Sequence, residues 1–121
     1  MGKTVLVVDD DVALLGMVKI LLVGAGYRVI TAAEGHEALE TVAREMPAVV
    51  LLDMKMPGMD GWAFAREFRA RHGRQVPIVV LTAAEDSRKR AEEVGADGYL
   101  GKPFEIADLL RVVEHHTGRV V

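Results

Sequence analysis

A five-stranded, mostly parallel α/β sandwich with helices on both faces is predicted for this 121-residue chain by three observations. Short β-compatible apolar runs alternate strictly with segments of helical periodicity; several of those runs are apolar without a break, as strands covered on both faces are; and Gly or Pro punctuates the joints.

Thr4 to Val8 reads as a buried strand that runs into Asp9, Asp10 and Asp11. Val12 to Val23 follows as a helix with Leu14, Met17, Val18, Leu21 and Leu22 on the inward face and a stop at Gly24 and Gly26. Tyr27 to Thr31 is a second strand, interrupted by Arg28, and Glu34 to Glu45 a second helix with Ala38, Leu39, Val42 and Met46 at helical spacing. Val49 to Leu52 is an unbroken strand that delivers Asp53, after which Pro57-Gly58 turns the chain. Trp62, Phe64, Ala65 and Phe68 mark a helix between Gly61 and Gly73, and Pro77 to Thr82 is another buried strand. Glu85 to Val94 is a polar helix stopped by Gly95; Gly98 to Leu100 is a short strand; Ile106 to His115 is the last helix, with Leu109, Leu110 and Val113 inward.

The strands ending at Val8, Leu52 and Leu81 are the most apolar and belong in the centre, whereas those containing Arg28 and Gly98 belong at the edges. The order 2-1-3-4-5 of the flavodoxin-like doubly wound (βα)5 sandwich satisfies this. It places the topological switch point between strands 1 and 3, where ligands bind outside the carboxyl ends. Residues 1–121 are expected to form a single domain, since a chain of this length supports one core.

Composition narrows the function. A net charge of −3 gives no basic face for nucleic acid. Without cysteine there is neither a disulfide framework nor a thiolate metal site. Met1-Gly2-Lys3 leads directly into a strand, with no signal-peptide pattern and no apolar run near the roughly 20 residues a membrane helix needs, so a soluble cytoplasmic protein is expected.

Parallel strands bring their carboxyl ends to one cleft. Reading off those ends places Asp9, Asp10, Asp53, Thr82 and Lys102 together. Carboxylates this close repel one another by several kcal/mol at an intermediate effective dielectric, roughly, and need a cation or a proton. Carboxylates, a backbone carbonyl and waters make the octahedral oxygen cage that suits Mg²⁺, and an ion with so few protein ligands tends to share a phosphate.

The blocks Val7-Val8-Asp9-Asp10-Asp11, Leu51-Leu52-Asp53-Met54-Lys55-Met56-Pro57-Gly58-Met59-Asp60-Gly61, Leu81-Thr82-Ala83 and Lys102-Pro103-Phe104 together resemble the receiver domain of two-component response regulators. The likeness covers nearly the whole chain, and the loop after Asp53 is most similar to stand-alone phosphorelay receivers. The resemblance implies that Asp53 takes a phosphoryl group from a sensor histidine kinase, a histidine phosphotransfer protein or a small acyl phosphate. It implies Mg²⁺ held by Asp10 directly, by Asp9 mainly through water, by Asp53 and by the backbone carbonyl of Lys55. Lys102 would neutralise the phosphoryl oxygens, and Thr82 would bond to one of them and let Tyr99 rotate inward, switching the face formed by the last two helices and the last strand toward a downstream effector. It also makes Lys102-Pro103 a candidate cis peptide. The implied protein is a phosphoacceptor switch and not an enzyme in the ordinary sense, a monomer or a weak phosphorylation-dependent dimer. The pattern for dimerisation through the last two helices is missing, because Gly98 follows Asp97 where a second acid is usual and Val112 and Val113 sit where basic residues are usual. Lys55 and Ala84 occupy the positions that tune the phosphoryl lifetime.

Plainer roles fit other residues. Asp11 caps the first helix, Met54, Met56 and Met59 pack the loop, and His115 and His116 diverge on the surface. On the first helix Leu15, Ile20 and Val23 are left over from the inward stripe; Leu15, with Gly16 allowing close approach, is the expected docking point for the phosphodonor. Rival readings fit less well. An aspartyl-phosphate phosphatase wants Asp-x-Asp on the first strand and a lid, a flavin domain wants a phosphate loop where three acids stand, and a receiver-like module that is never phosphorylated has no need of the intact set of five charged and hydroxyl groups.

Overall fold

The computed structural model describes residues 3–118. Met1, Gly2 and residues 119–121, on which the expectations of no signal peptide and of one domain over 1–121 partly rest, lie outside them. In chain order the elements are β1 (Thr4–Val8), α1 (Val12–Gly24), β2 (Arg28–Ala32), α2 (Gly35–Arg44), β3 (Val49–Asp53), α3 (Gly61–His72), β4 (Ile78–Ala83), α4 (Ser87–Val94), β5 (Gly98–Lys102) and α5 (Ile106–Thr117). All neighbouring strands pair in parallel, in the order β2-β1-β3-β4-β5, so Arg28 and Gly98 do lie on edge strands.

The alternation of side chains across the sheet divides the core in two. Leu6, Val8, Val50, Leu52, Ile78 and Val80 meet α2, α3 and α4, with Phe64 and Phe68 stacked at a centroid distance of 5.5 Å. Val5, Val7, Val49, Leu51, Val79 and Leu81 meet α1 and α5 on the other face. Both faces are dry, which is why β1, β3 and β4 read as continuous apolar runs.

The face of α1 differs from the expectation. Leu15, Val18 and Leu22 are its buried residues, Leu14 and Leu21 are only partly covered, and Met17 is exposed with Val12, Ile20 and Val23. The physical reason is that α1 is apolar nearly all round, with Lys19 its only charged residue, so periodicity alone does not choose a face. Leu15, expected outside, is therefore a core residue. Gly16 is exposed and has open space around it.

The start of α3 is fixed by a close approach. A Cβ on Gly61 would lie 2.6 Å from both the Asp53 carbonyl oxygen and Met54 Cα, and Gly61 N–H donates to the Met54 carbonyl at 3.0 Å. Gly58 takes the turn at φ +72°, and Asp60 caps the helix by accepting from Ala63 N–H at 2.9 Å. Gly61→Ala is expected to cost about 1–3 kcal/mol, read as a lower urea midpoint, since backbone and not a movable side chain stands in the way. An unchanged midpoint would show that α3 can slide away from Asp53 freely.

Candidate functional site

The registers deliver the acids to one level. Val8 pairs with Leu52, so Asp9 and Asp53, one residue further along each strand, stand side by side at the carboxyl edge. Asp53 pairs with Leu81 and Ala83 with Lys102, which brings Thr82 and Lys102 to the same rim from β4 and β5. Asp9, Asp53 and Thr82 are buried, Asp10 is exposed and Lys102 is half-buried. One oxygen from each of Asp9, Asp10 and Asp53 lies within 4.8 Å of the others.

Local bonds hold these groups in place. Asp9 Oδ1 accepts from Asp11 N–H at 2.9 Å, and Asp11 caps α1 through Leu14 N–H at 3.1 Å, the role its position predicts. Asp53 Oδ1 lies 3.5 Å from Lys55 N–H, placing Lys55 at the rim. Lys102 Nζ donates to Asp9 Oδ2 at 2.6 Å and stands 3.7 Å from Asp53 Oδ1. The Lys102-Pro103 peptide is cis. Met54 and Met56 are buried and Met59 packs against the same core, so they serve packing.

Burial, and after it the neighbouring Asp9 carboxylate, push the Asp53 carboxyl up to about 6 from an ordinary 3.8. Lys102 and the Lys55 N–H pull the other way, and Asp10 adds to the rise. Asp53 is thus an ionisable group kept partly out of water and crowded by like charge. At neutral pH it is ionised and poorly compensated, which is the state of a reactive carboxylate.

Two expected residues stand apart from this rim. Tyr99 is exposed and lines a separate open pocket with Leu100, Asp108, Arg111, Val112 and His115. Leu15 lies under α1; beside the rim the surface of that helix is instead a groove of about 560 Å³ walled by Leu14, Met17, Ala83, Lys102, Pro103 and Phe104. His115 and His116 also differ from expectation. Their rings meet edge to face at 4.8 Å, and His116 Nε2 turns back to within 3.3 Å of the Asp97 carbonyl, because Gly98 leaves room for the ring.

The sequence reading missed two contributors. One is the Asp9–Lys102 ion pair, for which an uncompensated excess of carboxylates over cations at the strand ends was the available signal. The other is Gly61, whose close approach to Asp53 left no mark beyond an Asp-Gly pair at the start of a helix.

Fold and site define a class: a doubly wound α/β domain with an acidic pocket fit for a divalent cation at its switch point. The family model of the response regulator receiver domain matches residues 5–114. The chain belongs to that family, whose members act in phosphorelay signalling. It is 40% identical over 124 residues to a probable transcriptional regulator ycf27 of Cyanophora paradoxa, covering 95% of this chain and 51% of that protein. The chain spans about half the length of this curated relative and of others like it. Among solved structures, a putative response regulator from Chloroflexus aurantiacus superposes with a TM-score of 0.90 at 36% identity, covering 98% of this chain and 100% of that one. The receiver domain of the sensor histidine kinase PA1611 from Pseudomonas aeruginosa, solved with a magnesium ion in its active site cleft, superposes with a TM-score of 0.88 at 34% identity over 98% and 99% of the two chains.

Proposed function

We propose that Asp53 is the phosphoacceptor of a phosphorelay and that this chain works as a switch. A carboxylate oxygen of Asp53 bonds to phosphorus while the bond from phosphorus to the donor's imidazole nitrogen or acyl oxygen breaks, the electron pair leaving with the donor. The reading rests on one observation above the rest: Asp53 is buried, crowded by Asp9 and Asp10, and within 3.7 Å of Lys102.

The donor set fits Mg²⁺, for hard carboxylate oxygens this close match what that ion takes. Asp9, Asp10, Asp53 and the Lys55 carbonyl would hold it. When bound, the ion supplies charge stabilisation to the phosphoryl oxygens. Lys102 meets the same oxygens from β5, and Thr82 hydrogen-bonds one of them from β4. That bond draws the β4 end toward the site and gives Tyr99 room to turn inward, which alters the surface around Leu100, Arg111 and Val112 for a downstream effector. The phosphodonor, a sensor histidine kinase or histidine phosphotransfer protein, docks beside the rim; with Leu15 buried, Gly16 and the groove of Leu14, Met17 and Phe104 take over its expected role. The chain is a monomer or weak phosphorylation-dependent dimer in this scheme, and residues 1–121 act as one receiver domain.

Intact mass after incubation with acetyl phosphate tests the proposal. The protein should gain one phosphoryl group with Mg²⁺ present and none with a chelator. No gain in either condition, or a gain that persists in Asp53→Asn, overturns it.

A further inference from the structure

A second cluster of charge lies away from the acidic rim. A cavity of about 360 Å³ opens between α3 and α4, lined by Trp62, Arg66, Arg69, Arg74 and Glu93 among others. Among its lining residues is Arg69, whose guanidinium donates to Asp97 Oδ2 at 2.9 Å and to the Val76 carbonyl at 3.0 Å. Those partners stand just before β5 and β4, so Arg69 is tied at the amino-terminal edge of the sheet, the edge opposite Asp53. Its Nε is buried with no hydrogen-bond partner among the described residues.

Only some of the arginines are balanced by a carboxylate. Arg28, Arg71, Arg88 and Arg111 each pair with a carboxylate on the surface. Arg66 and Arg74 have no carboxylate partner among the described residues, and Arg74 donates only to the Gly95 carbonyl at 3.3 Å. Glu93 does not offset them, since it is engaged by Trp62 Nε1 at 3.0 Å and by Arg90 at 3.2 Å, with Arg90 stacked over the Trp62 ring at 5.2 Å. The cavity therefore presents the guanidinium groups of Arg66 and Arg74 with no carboxylate to neutralise either. Guanidinium forks match the oxygens of phosphate groups in a bidentate way that lysine does not.

We propose that this cavity binds a pyrophosphate-bearing small molecule, with Arg66 and Arg74 each engaging one phosphate. Two separate forks suit two linked phosphates better than one. The volume falls in the range of small-ligand sites, roughly 300–1,000 Å³, and accommodates a diphosphate with part of an attached group. The ligand is either inorganic pyrophosphate or a nucleoside diphosphate, both carrying the same recognised chemistry.

Trp62 is the only tryptophan in the chain and lines the cavity, so its indole is a local reporter. The titration uses the full chain in a chelator at physiological salt, where the uncompensated acids around Asp53 repel anions. Sodium pyrophosphate and ADP are added separately, with tryptophan fluorescence and the indole N–H resonance as readouts. Saturable shifts at millimolar or lower concentration are expected, and Arg66→Gln with Arg74→Gln should weaken them at least about tenfold. The double variant should keep its far-ultraviolet dichroism and its phosphoryl uptake at Asp53, since neither arginine touches that rim. Tighter binding of ADP supports a nucleotide ligand, and equal binding supports the diphosphate alone. Absence of saturable binding by both probes, or binding that the double substitution leaves unchanged, overturns the proposal.

Discussion

Replacing Asp53 by Asn should raise the stability of the metal-free protein at pH 7 by about 3 kcal/mol. Folded Asp53 keeps its proton up to about pH 6, whereas the unfolded chain releases it near 3.8. Between those values the native state binds more protons than the unfolded one, so stability falls as pH rises across that window and stays reduced above it. A gap of that width corresponds to roughly 3 kcal/mol at 1.36 kcal/mol per pH unit. Asn keeps the shape and removes the charge, so the variant should lack the acid-side gain while exceeding the parent at neutral pH. Urea unfolding from pH 4 to 8 in a chelator measures both curves, and Mg²⁺ should close most of the gap by supplying the missing counter-charge. Equal stability of parent and variant at pH 7 would mean that Asp53 is not under electrostatic strain, and the account of its reactivity would fail.

Lys102→Met should act in the opposite direction. Asp9 is 1% exposed and receives the Lys102 ammonium at 2.6 Å, so the variant leaves a buried carboxylate without its cation beside two others. Removing one partner of a buried pair costs about 3–5 kcal/mol; Lys102 is 28% exposed along its side chain, which favours the lower end. Because Lys102 also holds the Asp53 carboxyl down, its loss moves that group further up and carries the pH-dependent decline to higher pH. Added Mg²⁺ should recover much of the loss, which a defect in packing would not permit. A chelator-independent midpoint equal to that of the parent would show that the lysine does not stabilise the acids.

What the sequence made legible follows from burial. Strands covered on both faces must be apolar along their whole length, so Thr4 to Val8, Val49 to Leu52 and Pro77 to Leu81 announced themselves, and their ends carried Asp9, Asp53 and Thr82 to one rim. The cis bond before Pro103 was legible only through the likeness of Lys102-Pro103-Phe104 to a family. Other features depend on tertiary context. Gly101 and Lys102 have little strand preference of their own and extend β5 only because Thr82 and Ala83 offer a ladder to pair with. On α1 the apolar surface runs all the way round, and the choice of Leu15 over Met17 is made by the sheet it meets. His116 was expected to point away from the body; the space above Gly98, set by the neighbouring strand, turns it back.

The ion pair between Asp9 and Lys102 joins residues 93 positions apart, the carboxyl ends of the first strand and the last. During synthesis β1 can pair with β2 and β3 long before β5 leaves the ribosome. Until the last strand docks, the three acids have no lysine among them and stay mutually repelled. Assembly of the reactive rim therefore waits on the docking of β5, whatever order the other strands take.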